Sequence, residues 1–293
     1  MPIFNIKKIT AHQLTLQKDG FGNEAALRDF FASNLDRLLG VRFLANEYPT
    51  NDGGRIDTIG LDENNSPVII EFKWKENEEV LTQGLSYYNW LVNNKRHFEL
   101  LVDKILGTKT KVNWDQPRVL LVAQEFSKRI RGAVPQVAMV ELKTYSLYEG
   151  DILHIENEYS PVADRPGRAK RSDIVLPIAQ HDLDYHLTKT SPAVRALISR
   201  LREKILQLAD VEEKTGQKTG VTYRTTKSFA RFEFRPSWVQ LLLRDPHYPE
   251  DTQGLVTDIT SNEWGYDGKV KVTADSDLDY IFSLVHASYS STL

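Results

Sequence analysis

Two carboxylates and one ammonium stand close together in the sequence: Asp57 in GGRIDTIGL, then Glu71 and Lys73 in PVIIEFKWK. Both segments alternate apolar and polar residues, the period of a β-strand, and the turn-rich DENNS between them makes a hairpin. In the second strand Val68, Ile70, Phe72 and Trp74 share one face, and Ile69, Glu71, Lys73 and Lys75 share the other. In the first strand Arg55, Asp57, Ile59 and Leu61 lie together. A turn centred on Asn64 sets Asp57 opposite Glu71, Arg55 opposite Lys73 and Ile59 opposite Ile69. Directly opposed like charges weaken a ladder, because their Cβ atoms lie only roughly 4.5–5.5 Å apart. Acid stacked on acid makes sense where a cation completes the site. Two hard carboxylate oxygens suit Mg2+ or Mn2+, which keep waters that a phosphate can displace. Lys73 would then orient a water-derived nucleophile or offset negative charge at phosphorus. The plainer alternative is a solvated hairpin face whose acids pair sideways with Arg55, Lys73 and Lys75.

Other elements must hold these groups. NEAALRDFFASNLDRLLG repeats apolar residues at Leu27, Phe31, Leu35 and Leu38, the spacing of an amphipathic helix, and Glu24 falls on the same stripe. A carboxylate on a core-facing stripe needs a partner; a helix N-terminus that favours an acid is the alternative. Strands are expected at VRFLANEY, RIDTIGL and PVIIEFKW, followed by a long helix from about Glu78 to Leu106. Gln83 sits in its first turns, with Tyr87 one turn later, and Gly84 would let the helix approach a sheet closely. RVLLVAQ, VAMVELKTYSLYEG and DILHIENE read as further strands, with a short helix around SKRIRGAV. The order α-β-β-β-α-β implies a mixed α/β layer.

This pattern resembles the PD-(D/E)XK nuclease superfamily: Glu24 on a leading helix, Gly54-Arg55-Ile56-Asp57, then Ile70-Glu71-Phe72-Lys73, then Gln83 and Tyr87 on the next helix. The likeness covers about residues 20–125. It implies a restriction-endonuclease-like fold, metal ligation by Asp57 and Glu71, a catalytic role for Lys73, and assisting roles for Glu24 and Gln83, with Glu24 supporting a second ion. Ile56 stands where the superfamily's name has proline, a position that supplies no ligand. The C-terminal half resembles a domain of unknown function found behind such nuclease-like domains in prokaryotic proteins.

Composition divides the chain at a Pro-, Gly- and charge-rich linker, 161–175; residues 1–160 are then the segment that the resemblance makes nuclease-like, and 176–293 read as an α+β domain. In the last, DLDYHL and PAVRALISRLREKILQLAD read as helices, with Pro192 at a first turn. GVTYRTT, FARFEFRP, WVQLLLRD, GLVTDIT and KVKVTA read as strands of a largely antiparallel sheet. A closing helix, SDLDYIFSLVHASY, is expected to be capped by Ser276. Net charge is only −3, which argues against a protein that coats nucleic acid by bulk charge. Yet residues 165–235 hold 15 Lys and Arg against 8 Asp and Glu, a basic middle that points mildly to a polyanion. Within it Arg224, Lys227, Arg231 and Arg235, near Tyr223, Trp238 and two phenylalanines, offer a candidate face for phosphates and bases; the alternative is the ordinary polar side of a half-exposed sheet. Arg55 and Tyr87 are further candidate contacts in the first domain.

The chain has no cysteine, which removes disulfides, thiolate zinc sites and cysteine nucleophiles and fits a reducing, cytoplasmic setting. No apolar run approaches a membrane span. Seven histidines show no metal spacing, and His181 and His186 read as surface residues. The expectation is a Mg2+- or Mn2+-dependent endonuclease acting on nucleic acid, DNA before RNA, with no membrane partner and with a homodimer as a compatible assembly. The competing expectation is a catalytically silent nucleic-acid-binding or scaffold protein of the same fold. A third is a regulatory module whose C-terminal domain binds a small ligand.

Overall fold

The hairpin that carries the acids is covered on both faces. The computed structural model describes residues 3–7, 10–75, 78–161, 181–244, 251–260 and 264–293. A short hairpin, β1 (Phe4–Lys7) and β2 (Thr10–Gln13), precedes α1 (Glu24–Ser33) and α2 (Leu35–Leu39). Then come β3 (Val41–Pro49), β4 (Arg55–Asp62) and β5 (Pro67–Lys73), followed by α3 (Val80–Asn93) and α4 (Lys95–Leu106). The first half closes with β6 (Arg118–Ala123), α5 (Lys128–Ala133), β7 (Val140–Tyr148) and β8 (Ile152–Tyr159). Strands β3 to β8 form one sheet in sequence order, parallel at β5–β6 and β6–β7 and antiparallel elsewhere.

Every residue of β5 is buried. On one side Val68, Ile70 and Phe72 pack with Leu27 and Phe31 of α1 and Leu35 of α2. On the other, Ile69 packs with Ile59, Leu61, Val119 and Leu121 beneath Val80, Tyr87 and Leu91 of α3. A solvated hairpin face is therefore not what this sheet presents. Gly84 lets α3 settle closely: a Cβ there would meet Val119 Cγ1 at 3.0 Å and Leu121 Cδ2 at 3.1 Å.

Two expected helices are each broken by an asparagine. The leading helix ends at Ser33 and resumes at Leu35, and the long helix ends at Asn93 and resumes at Lys95. Asn34 Nδ2 donates to Phe30 O at 2.9 Å, and Asn94 Nδ2 donates to Trp90 O at 2.8 Å. Each side chain thus satisfies a carbonyl four residues back, a local bond that competes with continuing the helix.

The second half contains α6 (Leu183–Leu187), α7 (Pro192–Leu206), β9 (Glu212–Gln217), β10 (Gly220–Arg224), β11 (Ser228–Phe234), β12 (Val239–Leu243), β13 (Thr257–Asp258), β14 (Gly268–Val272) and α8 (Leu278–Ser290). Its sheet is antiparallel, in the order β13-β14-β12-β11-β10-β9. Pro192 opens α7 behind the Ser191 cap. Asp277, not Ser276, caps α8, accepting from Asp279 N and Tyr280 N; Ser276 Oγ instead accepts from Thr273 N. The expected linker, 161–175, lies outside the described residues apart from Pro161. No helix among the described residues is long and apolar enough to cross a membrane.

The apolar face of the second sheet, with Val221, Tyr223, Phe232, Leu241 and Val270, packs under α7 and α8. Its polar face meets the first sheet: Arg224 bonds Glu141, Lys214 bonds Glu141 at 3.1 Å, and Arg231 bonds Asn64. The candidate basic face is therefore largely an internal seam.

Candidate active site

Ladder pairs Leu61↔Pro67, Gly60↔Val68, Ile59↔Ile69 and Thr58↔Ile70 give the hairpin the register of a turn centred on Asn64. One step further, the acids take over the backbone pairing. Asp57 N–H donates to Glu71 Oε1 at 3.1 Å, and Phe72 N–H donates to Asp57 Oδ2 at 2.9 Å. Glu71 is fully buried and its Oε2 has no hydrogen-bond partner. Burial, reinforced by the neighbouring Asp57, pushes the Glu71 carboxyl up to about 9. Burial also raises Asp57, against the Phe72 amide and the Lys73 charge. Two acids in one dry place cannot both ionise cheaply.

Lys73 stands beside them with its side chain 10% exposed, its Nζ donating to Glu24 Oε1 at 3.0 Å. Burial alone would lower this amine, but Glu24, Asp57 and Glu71 together hold it above its usual value. Glu24 is the first residue of α1, just after the Asn23 cap, so it occupies the helix N-terminus and also supplies the lysine's counter-charge. The helix-terminus account of Glu24 fits, whereas its side chain is 44% exposed rather than buried on the core-facing stripe. One of its two carboxylate oxygens, Oε1, serves Lys73.

Gln83 Nε2 donates to Tyr87 Oη at 3.3 Å, and Tyr87 Oη accepts from Arg55 N at 3.1 Å. Gln83 thus reaches the acid-bearing strand through Tyr87; no hydrogen bond among the described residues joins it to the acids. Arg55 does not pair with Lys73, because the β4–β5 ladder ends at Thr58 and Arg55 sits instead opposite Pro49 on β3. Its guanidinium is 65% exposed, 3.8 Å from Glu47. Beside it a groove of about 350 Å3 is lined by Asp52, Gly53, Gly54, Thr82, Gln83, Ser86 and Tyr87.

Two residues near the acids escaped sequence reasoning. Arg28, one turn after Glu24, bonds Asp29 and Glu47 and shares the electrostatic field of Asp57; its i+4 spacing from Glu24 was the available signal. Tyr145, on β7, buries a hydroxyl without a partner and feels the charge of Glu24. No local pattern could have linked it to a residue so far away in the chain.

Of the candidate contacts in the second half, Arg224 and Arg231 are buried and committed. Arg224 bonds Glu141 and, at 3.1 Å, Glu212, while Arg231 bonds Asn64, Gln217, Thr222 and Thr219. Neither faces a polyanion. Lys227 is half-buried and lowered by burial and by Arg244. Arg235 is exposed beside Trp238, though it also approaches Glu233 at 3.4 Å. His186 is no surface histidine: it is buried, stacked on Phe234 with its Nε2 against Gln217 O, and burial lowers it to about 4.

A hard divalent cation fits the acid pair. The carboxylates meet in a place that penalises their charge, and Glu71 Oε2 lacks any protein donor. Among the described residues no group of three or more acids and histidines is gathered there.

No protein-family model matches the chain. It is 26% identical over 301 residues to an uncharacterized protein of Haemophilus influenzae, spanning 97% of this chain and 98% of that one. Two solved structures align with parts of it. One is a repair endonuclease from Pyrococcus abyssi, at 18% identity and a TM-score of 0.29, over 41% of this chain and 45% of that one. The other is the EndoMS–dsDNA2 complex, at 13% identity and a TM-score of 0.26, over 48% of this chain and 62% of that one. The chain spans less than two thirds of either. Chemistry at the site therefore rests on its own residues.

Proposed function

We propose that this chain is a divalent-metal-dependent nuclease that hydrolyses phosphodiester bonds in nucleic acid, DNA before RNA. The observation that carries it is the buried Asp57–Glu71 pair, with one oxygen unpartnered, set beside a lysine that is itself held charged. Lys73 is the cation beside the pair, but its Nζ is bonded to Glu24, which leaves Glu71 Oε2 without a donor. The resemblance of Gly54–Asp57, Ile70–Lys73 and Gln83–Tyr87 to the PD-(D/E)XK superfamily supports the same function.

Asp57 and Glu71 would hold Mg2+ or Mn2+, which when bound polarises a phosphate and makes a coordinated water more acidic. Lys73 offsets the charge that gathers on the phosphate oxygens during attack, and Glu24 orients the lysine. Gln83 and Tyr87 fix the entry of β4 through the Arg55 amide. Arg55, exposed at the rim, is placed to meet a neighbouring phosphate.

The test is a cleavage screen over single-stranded, duplex, branched and mismatched DNA and RNA, with Mg2+, Mn2+ or chelator. Cleavage is expected with metal alone, and Lys73→Met should slow it by roughly a hundredfold or more, the scale of losing a preorganised charge-stabilising donor. Binding should change little. Equal cleavage by folded Lys73→Met would remove the catalytic assignment. Tight binding with no cleavage by wild type would identify a silent nucleic-acid-binding protein.

A further inference from the structure

The far end of the acid-bearing hairpin is gripped by the second sheet. The turn from Asp62 to Ser66 fixes its own backbone: Asp62 Oδ1 accepts from Asn64 N at 2.8 Å and Ser66 N at 2.9 Å, and Asn65 takes a left-handed conformation at φ 59°. Two side chains then reach outward. Glu63 Oε1 accepts from Ser228 N at 3.0 Å and from Arg244 Nη2 at 2.7 Å. Asn64 Oδ1 accepts from Arg231, and from Thr222 Oγ1 at 3.4 Å.

The grip is shaped on both sides. Glycines make room for Glu63: a Cβ at Gly40 would lie 2.0 Å from Glu63 Oε1, and one at Gly265 would lie 2.5 Å from Glu63 Cγ. Both glycines also have positive φ, which ordinary side chains resist. Arg231 is oriented by Gln217, Thr222 and Thr219, and Arg244 by Ser228 O at 2.7 Å. These bonds make a built socket rather than a chance contact.

At the opposite end the same hairpin must hold two carboxylates together. There the ladder has ended and the two amide-to-carboxylate bonds replace it, and four ladder pairs lie between the turn and Asp57. A slip of one residue would send Asp57 and Glu71 to opposite faces. We propose that Arg231 and Arg244 are positioning residues for the acid pair: by holding Asn64 and Glu63 they fix the β4–β5 register that sets Asp57 against Glu71. The catalytic meaning of that register rests on the proposed nuclease function, but the clamp itself does not.

The test compares two ways of loosening the seam between the sheets in the full chain. Arg231→Gln with Arg244→Gln releases the turn. Asp115→Ala with Gln116→Ala cuts seam bonds to Lys218 N and Thr215 O that do not involve the hairpin. Hydrogen exchange followed by mass spectrometry reads peptides that contain the amides of Asp57 and Phe72, which donate to the two carboxylates. The clamp variant should exchange there at least about fivefold faster, and the control as slowly as wild type; Mn2+ affinity should weaken by a similar factor in the clamp variant alone. Arg231→Lys with Arg244→Lys, which keeps both charges, should restore part of the protection, and it replaces the glutamine variant if that fails to fold. Unchanged protection in a folded clamp variant, or equal loosening in the control, would overturn the clamp. Absence of Mn2+ binding by wild type would count against the nuclease site, while the exchange data would still decide the clamp.

Discussion

Glu71 and Glu141 are both buried glutamates in one sheet, on β5 and β7, and each is followed two residues later by a buried lysine. Their surroundings are opposite. Glu71 faces another acid, keeps an oxygen without a partner and is pushed up to about 9. Glu141 is ringed by Arg118, Lys214 and Arg224 and is held well below the usual carboxylate range despite complete burial. Glu212, which opens a third such triplet with Lys214, joins the Arg224 network and is likewise lowered. The difference separates two uses of a buried carboxylate. Where cations surround it, the acid joins two sheets; where an acid opposes it, a single lysine shared with Glu24 leaves the glutamate raised, ready to take a proton or a metal.

The comparison can be broken most forcefully at Arg224. Arg224→Met leaves Glu141 and Glu212 buried without their principal counter-charge and should cost about 3–5 kcal/mol, the scale of removing one partner from a buried pair. Denaturant unfolding at neutral pH measures it. A cost below about 1 kcal/mol would mean that Lys214 and Arg118 suffice by themselves.

Glu71→Gln should act in the other direction. Glu71 binds a proton more tightly folded than unfolded, so its stabilising contribution is complete below about 4.5 and is lost as pH rises toward about 9. Glutamine cannot ionise and removes that slope. In chelator at pH 8 the variant should therefore exceed wild type by about 1–3 kcal/mol, with little difference at pH 4. Glu141, lowered instead, contributes fully above 4.5 and loses that contribution only in stronger acid. Unfolding curves at several pH values would separate the two, and a destabilised Glu71→Gln at pH 8 would contradict the acid-pair electrostatics.

The smallest effect is expected at Lys143, the lysine of the second triplet. Burial and Arg224 lower it to about 8, and it bonds Asn157. Lys143→Met keeps the stem and removes a poorly solvated charge, so stability should move by no more than about 1 kcal/mol. Cleavage should match wild type, in contrast to Lys73→Met. A large loss of cleavage with Lys143→Met would show that the two triplets are not functionally distinct.

Much of the first sheet was legible from alternation alone, because a half-turn per residue assigns every side chain to a face once a strand is recognised. The turn at Asn64 was legible too, and with it the pairing of Asp57 against Glu71. Helix breaks at Asn34 and Asn94 were not, since apolar periodicity runs straight through both, and the side-chain bonds to carbonyls four back that accompany the breaks leave no mark in that pattern. Strand β9 went unread because VEEKTGQ carries no apolar alternation, yet Glu212 and Glu213 are buried against arginines supplied by other elements.

By itself the sequence determined strand period, hairpin register and the stripe that carries Glu24, all properties of neighbours within a few residues. Only the tertiary structure decided that the other two Glu-x-Lys triplets, at Glu141 and Glu212, meet cations, and that Arg224 and Arg231 face a seam rather than a partner. Charge balance in a dry interior is summed over side chains from distant parts of the chain, and at 4 Å an unpaired charge there weighs several times more than it does in water. Local pattern fixes which way a side chain points; the packing of two sheets fixes what it finds there.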